Sequence, residues 1–218
     1  MLTSSPPLPE AAARRRVGLM GGSFDPVHRA HVELAETALR HLQLDEVRWI
    51  PVGQPWQKAR QLAAPGHRLA MVQAATAHEP RFVVDPIELN RDGPSYTRDT
   101  VRMLQSTAAE PTDWFLIIGQ DQYANFPTWQ GWHELLQALT LAVACRGHDL
   151  PAAPKALAGL PHRVVELPLP PLNVSSTDIR ARLARGEDPL TLAPELVSAP
   201  VARYIATHQL YAPGGAPR

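Results

Sequence analysis

Two hydrophobic rhythms alternate along this chain. Short apolar or β-branched runs at Val17–Met20, Glu46–Val52, Arg81–Asp85, Trp114–Ile118, Leu139–Ala144 and Arg163–Leu167 read as strands. Between and after them lie segments with helical spacing. His31–Leu42 places Val32, Ala35, Ala38, Leu39 and Leu42 on one face. Arg68–Ala77, Ser95–Leu104, Trp132–Ala138, Ser176–Arg185 and Glu195–Thr207 are the other predicted helices. Trp114–Ile118 (WFLII) is apolar throughout and ends at Gly119, as expected of a strand buried on both faces. Strand–helix alternation of this kind predicts an α/β fold, a doubly wound, mostly parallel sheet with helices on both faces. Ligands of such sheets bind beyond the carboxyl ends of the strands, where the strand order switches. The segments that follow strands therefore matter most: Gly21–His31, Gly53–Lys58, Gly119–Trp129 and Asn173–Arg180.

Composition narrows the classes. The 218 residues could make one large domain or two small ones. The expected division is a flexible tail over 1–14, a single domain over 15–211 and a short flexible tail over 212–218. Lys+Arg and Asp+Glu are both 21, so the formal charge is zero, which argues against a protein built to grip a nucleic-acid backbone. Cys145 is the only cysteine, which excludes an intrachain disulfide and a multi-cysteine zinc site. The longest nearly apolar run, Leu139–Cys145, is far below the roughly 20 residues needed to span a bilayer. The polar, Pro-rich start lacks the order of a secretory signal, so a soluble cytoplasmic protein is expected. Pro151–Pro161 reads as a surface excursion.

Five segments carry chemistry. In Gly21-Gly22-Ser23-Phe24-Asp25-Pro26-Val27-His28-Arg29-Ala30-His31, two glycines after a strand let backbone N–H groups approach an anion. His28 and His31, three apart, share a helical face and can stabilise charge on phosphate oxygens. Each feature alone is commonplace; strand–GG–HxxH–helix order is specific. Asn173–Arg180 (NVSSTDIR) offers a capped helix start, which attracts anions, with Arg180 one turn in as a planar fork. Alone, it equally describes an ordinary capped helix. Asp121, just past the central strand, is placed like the ribose-binding acid of dinucleotide folds, with Phe126, Trp129 and Trp132 as flat surfaces nearby. A capping Asp followed by core aromatics fits as well. Lys58, on a loop after a strand, is a candidate phosphate cation or a solvated side chain, and Pro94-Ser95-Tyr96-Thr97 opens a helix.

Together these strings carry a family resemblance. GGSFDPVHRAH and NVSSTDIR resemble the two signatures of the HxGH nucleotidyltransferase superfamily. The order GGSFDPVH, PSYT, FLIIGQDQYANFPTW, SSTDIR is similar to bacterial nicotinate-nucleotide adenylyltransferases, from about Val17 to Tyr211. PSYT and FPTW are the strings that separate this family from its relatives. The resemblance implies a Rossmann-like nucleotidyltransferase fold. It implies adenylyl transfer from ATP, with Mg²⁺ carried by the nucleotide, to nicotinate mononucleotide, giving deamido-NAD and pyrophosphate in NAD biosynthesis. By motif match, His28, His31 and Arg180 are the expected catalytic residues. Gly21, Gly22, Ser23, Phe24, Gly119, Asp121, Ser176, Thr177 and Lys58 are expected to bind ATP. Thr97, Tyr96, Phe126 and Trp129 are expected around the mononucleotide. No protein-held metal, nucleic acid or membrane is implied, and the chain could be a monomer or a homo-oligomer.

Two departures stand out. Ala30 occupies the usual Gly of HxGH, harmless if helical and damaging if the backbone needs positive φ or close ligand approach. Ser23 replaces the commoner Thr and keeps the hydroxyl. Three alternatives stay open: a sibling acting on nicotinamide mononucleotide or phosphopantetheine, a nucleotide sensor without catalysis, and a relative of class I tRNA synthetases. PSYT and FPTW argue against phosphopantetheine. The intact His28, His31 and Arg180 argue against a sensor. The short length, zero charge and lack of a KMSKS-like string argue against a synthetase.

Overall fold

The structure, a computed structural model, describes residues 14–55, 61–146 and 153–214. Six parallel strands form one sheet: β1 (Arg15–Gly22), β2 (Glu46–Pro51), β3 (Phe82–Val84), β4 (Thr112–Gly119), β5 (Thr140–Arg146) and β6 (Arg163–Leu169). Their spatial order is β3-β2-β1-β4-β5-β6. The chain thus winds outward from β1 in one direction, returns, and winds outward from β4 in the other, the expected doubly wound topology.

Among the described residues seven α-helices accompany the sheet: α1 (Arg29–His41), α2 (Pro65–Thr76), α3 (Thr97–Ser106), α4 (Gln120–Asn125), α5 (Trp132–Ala138), α6 (Ser176–Ala184) and α7 (Ala199–Thr207). Strand side chains alternate between two cores, as the two-residue period demands. Phe115 and Ile117 of β4 join α1, α2, α6 and α7 on one face. Trp114, Leu116 and Ile118 of the same strand join α3, α4 and α5 on the other. Burying one such side chain contributes about 1.5–3 kcal/mol, so a strand apolar on both faces anchors both layers.

All six predicted strands and all six predicted helices form, Trp132–Ala138 with the expected bounds and the others with shifted ends. The helix expected over Glu195–Thr207 starts at Ala199, because Pro200 suits the first turn and Ser198 sits at the N-cap. The segment after β4 contains more structure than the strand–loop reading expected: α4 is followed by a 3₁₀ turn over Phe126–Thr128.

One irregularity shapes the site. β1 stays paired with β2 as far as Gly22 and Pro51, but with β4 only as far as Leu19 and Leu116. Beyond those residues β1 and β4 part, and their carboxyl ends become the walls of a crevice.

Candidate active site

The crevice at the switch point has a volume of about 530 Å³, within the range of small-molecule and cofactor sites. Gly21, Gly22, Ser23, His28 and His31 line one wall. Gly119 and Asp121 line the other, and Ser95, Thr97 and Trp129 lie at the third side. Nine of the sequence-predicted site residues therefore meet around one cavity.

The GG loop is built for close packing. A Cβ on Gly21 would meet nothing within 4 Å, so its bare backbone faces open space. A Cβ on Gly22 would lie 2.9 Å from Phe24 Cζ, so this glycine makes room for a buried ring. Phe24, expected to bind ATP, is 1% exposed and does not line the crevice. The apolar ring gains more by packing against Trp49 and edge-on against His31, at centroid distances of 5.4 and 5.1 Å. Its contribution to the site is the support of His31.

The two histidines stack, with centroids 3.7 Å apart and planes 20° apart. His31 Nδ1 accepts the backbone N–H of His28 at 3.2 Å. An accepting Nδ1 leaves the ring proton on Nε2, a donor suited to an anion. His28 precedes α1 in extended conformation. Its ring is buried, and its Nδ1 has no hydrogen-bond partner. Loss of hydration lowers its pKa from the ordinary 6.5 to about 4, so its ring is neutral at pH 7. Ala30 is the second residue of α1 and lines the crevice. The departure from Gly thus falls at a helical position, where Ala is favourable.

The NVSSTDIR segment comes to the same loop from 150 residues away. Ser175 caps α6 by accepting the Asp178 N–H at 3.1 Å. Ser176 Oγ donates to Pro26 O at 3.0 Å, and Arg180 Nη1 donates to Asp25 O at 2.5 Å. Arg180 Nη2 also donates to Thr177 Oγ1 at 3.1 Å. Ser176, Thr177 and Arg180 thus adjoin the loop, although they do not line the crevice itself.

At the third side, Tyr96 sits at the N-cap of α3 and Thr97 is its first residue. Tyr96 is half-buried outside the lining, whereas Thr97 is part of it. Trp129 lines the crevice, and its indole N–H is buried with no hydrogen-bond partner. Phe126, expected beside the mononucleotide ring, is 0% exposed and packs against Trp129 at 5.3 Å. Being wholly apolar, it serves as backing for Trp129 rather than as a stacking surface. Lys58 lies outside the described residues.

Sequence reasoning missed Glu88. It is 7% exposed, lines the crevice, and accepts Thr100 Oγ1 at 2.7 Å. Burial pushes its carboxyl pKa up, opposed by hydrogen bonds from Thr100, Ser95 and the Gly53 N–H and by the nearby charge of Arg91. Ser95 Oγ in turn accepts the N–H groups of Gly53 and Gln54, both at 3.2 Å. The signal was faint: a lone Glu in a polar stretch reads as surface. The close pass of β2's exit over this segment, with Thr100 and Ser95 of the neighbouring helix start, encloses it.

Known proteins agree with this geometry. The family model described as "Cytidylyltransferase-like" matches residues 19–182. A relative from Methylibium petroleiphilum, named a probable nicotinate-nucleotide adenylyltransferase, is 53% identical and covers 95% of this chain and 98% of its own length. One from Bordetella petrii with the same name is 47% identical, covering 90% and 99%. A nicotinic acid mononucleotide adenylyltransferase from Plasmodium falciparum shares the fold with a TM-score of 0.69 at 17% identity, covering 91% of this chain and 98% of its own. With the first signature loop lining the switch-point crevice, the second resting against that loop, and identity of this extent over nearly the whole length, the chain belongs to the cytidylyltransferase-like family and, within it, to the nicotinate-nucleotide adenylyltransferases.

Proposed function

We propose that the chain transfers the adenylyl group of ATP to nicotinate mononucleotide, giving deamido-NAD and pyrophosphate. The observation that carries this reading is the meeting of the GG loop, His28 and His31 with Gly119, Asp121, Thr97 and Trp129 around one crevice. The names of the relatives support it. So do the two Plasmodium falciparum structures of the same fold, described as complexes with APC and with NaAD.

The chemistry needs little from the protein beyond position and charge. The mononucleotide's phosphate is largely ionised at neutral pH, so it attacks the α-phosphorus without a general base. A P–O bond forms to that phosphate oxygen. The bond from the α-phosphorus to the bridging oxygen breaks, and pyrophosphate leaves with the electron pair. Mg²⁺ enters with ATP as part of the substrate and offsets charge on its phosphates. His31 Nε2–H donates to the phosphates. His28, whose burial favours the neutral ring, gains a reason to take up a proton once a triphosphate lies against it. Gly21, where a Cβ would meet nothing within 4 Å, presents bare backbone that permits close anion approach. Ser176, Thr177 and Arg180 hold the departing β- and γ-phosphates, Asp121 and Gly119 hold the adenosine ribose, and Thr97 with the Trp129 segment holds the nicotinate ring. Water-soluble substrates fit a cytoplasmic setting, and no helix among the described residues is long and apolar enough to cross a membrane.

The test is pyrophosphate release from Mg·ATP with nicotinate mononucleotide and, in parallel, nicotinamide mononucleotide. Release with the acid well above the amide is expected; equal or better use of the amide would reverse the acceptor assignment. His31→Ala should lower the rate about 10²–10³-fold with the fold intact, the usual cost of one charge-stabilising donor. Near-normal turnover would remove His31 from the mechanism.

A further inference from the structure

Beneath the GG loop lies a buried polar group that the mechanism above does not use. Asp25 is 0% exposed, Arg68 is 1% exposed, and neither lines the crevice. Tyr211 Oη donates to Asp25 Oδ1 at 2.6 Å, and the Ala63 N–H donates to the same oxygen at 3.2 Å. Arg68 Nε donates to Ala63 O at 3.0 Å, and its Nη1 donates to Ser23 O at 3.1 Å. Arg68 lies in α2, and Tyr211 follows α7. Burying a carboxylate, a guanidinium and a phenol together is costly unless each is paired and hydrogen-bonded. Here the pairing has a consequence for the loop. The carbonyls of Ser23, Asp25 and Pro26 are each taken by a side-chain donor, from Arg68, Arg180 and Ser176 respectively. The path of the loop between Gly22 and His28 is thereby fixed from α2, from α6 and from the segment after α7.

We infer that Tyr211 and Arg68 are positioning residues for ATP: through Asp25 and Ser23 they set the loop that His28 follows and against which Arg180 rests. The inference rests on the reading of this crevice as an ATP site. Tyr211→Phe removes the hydroxyl and leaves the ring in place. Asp25 then keeps its buried charge with one donor fewer, and the loop loses one restraint. The expected result is about a tenfold rise in KM for ATP or a matching fall in kcat/KM for ATP, the scale of one hydrogen bond to a charged group. KM for nicotinate mononucleotide should stay within about twofold, since Thr97 and Trp129 stand on other elements.

The experiment compares the wild-type chain, Tyr211→Phe, Arg68→Met and Arg68→Lys. It measures KM and kcat for each substrate, calorimetric binding of a non-hydrolysable ATP analogue, and melting temperature. An ATP-selective defect in Tyr211→Phe, with Arg68→Lys recovering part of what Arg68→Met loses, supports the inference. A lowered melting temperature with both KM values unchanged would make the cluster structural only and overturn it. Equal losses for both substrates would overturn it too. If Arg68→Met fails to fold, Tyr211→Phe alone decides. Failure of the wild-type chain to bind the analogue would overturn the ATP reading and this inference together. Wild-type binding with Tyr211→Phe unchanged would overturn the inference alone.

Discussion

His28 gives the site a pH dependence that belongs to one residue. Its folded pKa, about 4, lies below the ordinary 6.5 because burial strips water from the charged form. Between pH 6.5 and 4 the unfolded chain therefore binds a proton that the folded chain refuses. Stability rises with pH across that window, is fully present above 6.5 and is lost as pH falls toward 4. The share due to His28 is at most about 3 kcal/mol. Urea unfolding of the ligand-free protein at pH 7 and pH 5 should show this loss, and His28→Gln should reduce it; an unchanged loss would assign it to other groups. Single residues also show where sequence reading reaches its limit. His28 and His31 were legible because their chemistry and their order agree; Gly119 and Thr97 entered only through the family resemblance. Phe24 and Phe126 sit in the same strings, yet a motif does not say which of its members faces the ligand. Their rings are apolar enough that the core claims them.

Within elements, the glycines separate fold from function. Gly53 follows β2, and a Cβ there would lie 2.1 Å from the Glu88 carbonyl oxygen. That contact involves backbone, so relief requires the segment carrying Glu88, Ser95 and the Gln54–Pro94 bridge to move. Gly53→Ala should cost at least about 2 kcal/mol, readable as a shifted urea midpoint. Gly119 is different: a Cβ there meets nothing within 4 Å, its φ is −79°, and it faces the crevice. Gly119→Ala should melt like wild type and raise KM for ATP several-fold; a normal KM would place the adenosine elsewhere. Strand and helix identities followed from periodicity because each buried face repeats at its own period. What the spacing could not show was α4, whose six residues are mostly polar and which is held in place by contacts to β4 and β5 rather than by its own pattern.

At the scale of the whole molecule, sheet order made the site. Alternation predicted a doubly wound sheet, and that topology places the functional loops at the switch between β1 and β4. It could not predict that the same loop would be pinned from below by Asp25, Arg68 and Tyr211, because those contacts depend on how three distant segments pack. The partners of this loop lie 45, 155 and 186 residues further along the chain. Translation runs in one direction, at about 5–20 residues per second, so roughly 10–40 s separate the synthesis of Asp25 from that of Tyr211. During that interval the nascent loop has its catalytic sequence and gains the partners of its restraints one by one, Tyr211 last. Ribosome-bound chains stalled before Tyr211 should be cut by protease around residues 22–28, and chains released with Tyr211 should resist. Ligand competence is then one of the last properties the growing polypeptide acquires, although the loop from Gly21 to His31 that begins the site is among the first segments to be made.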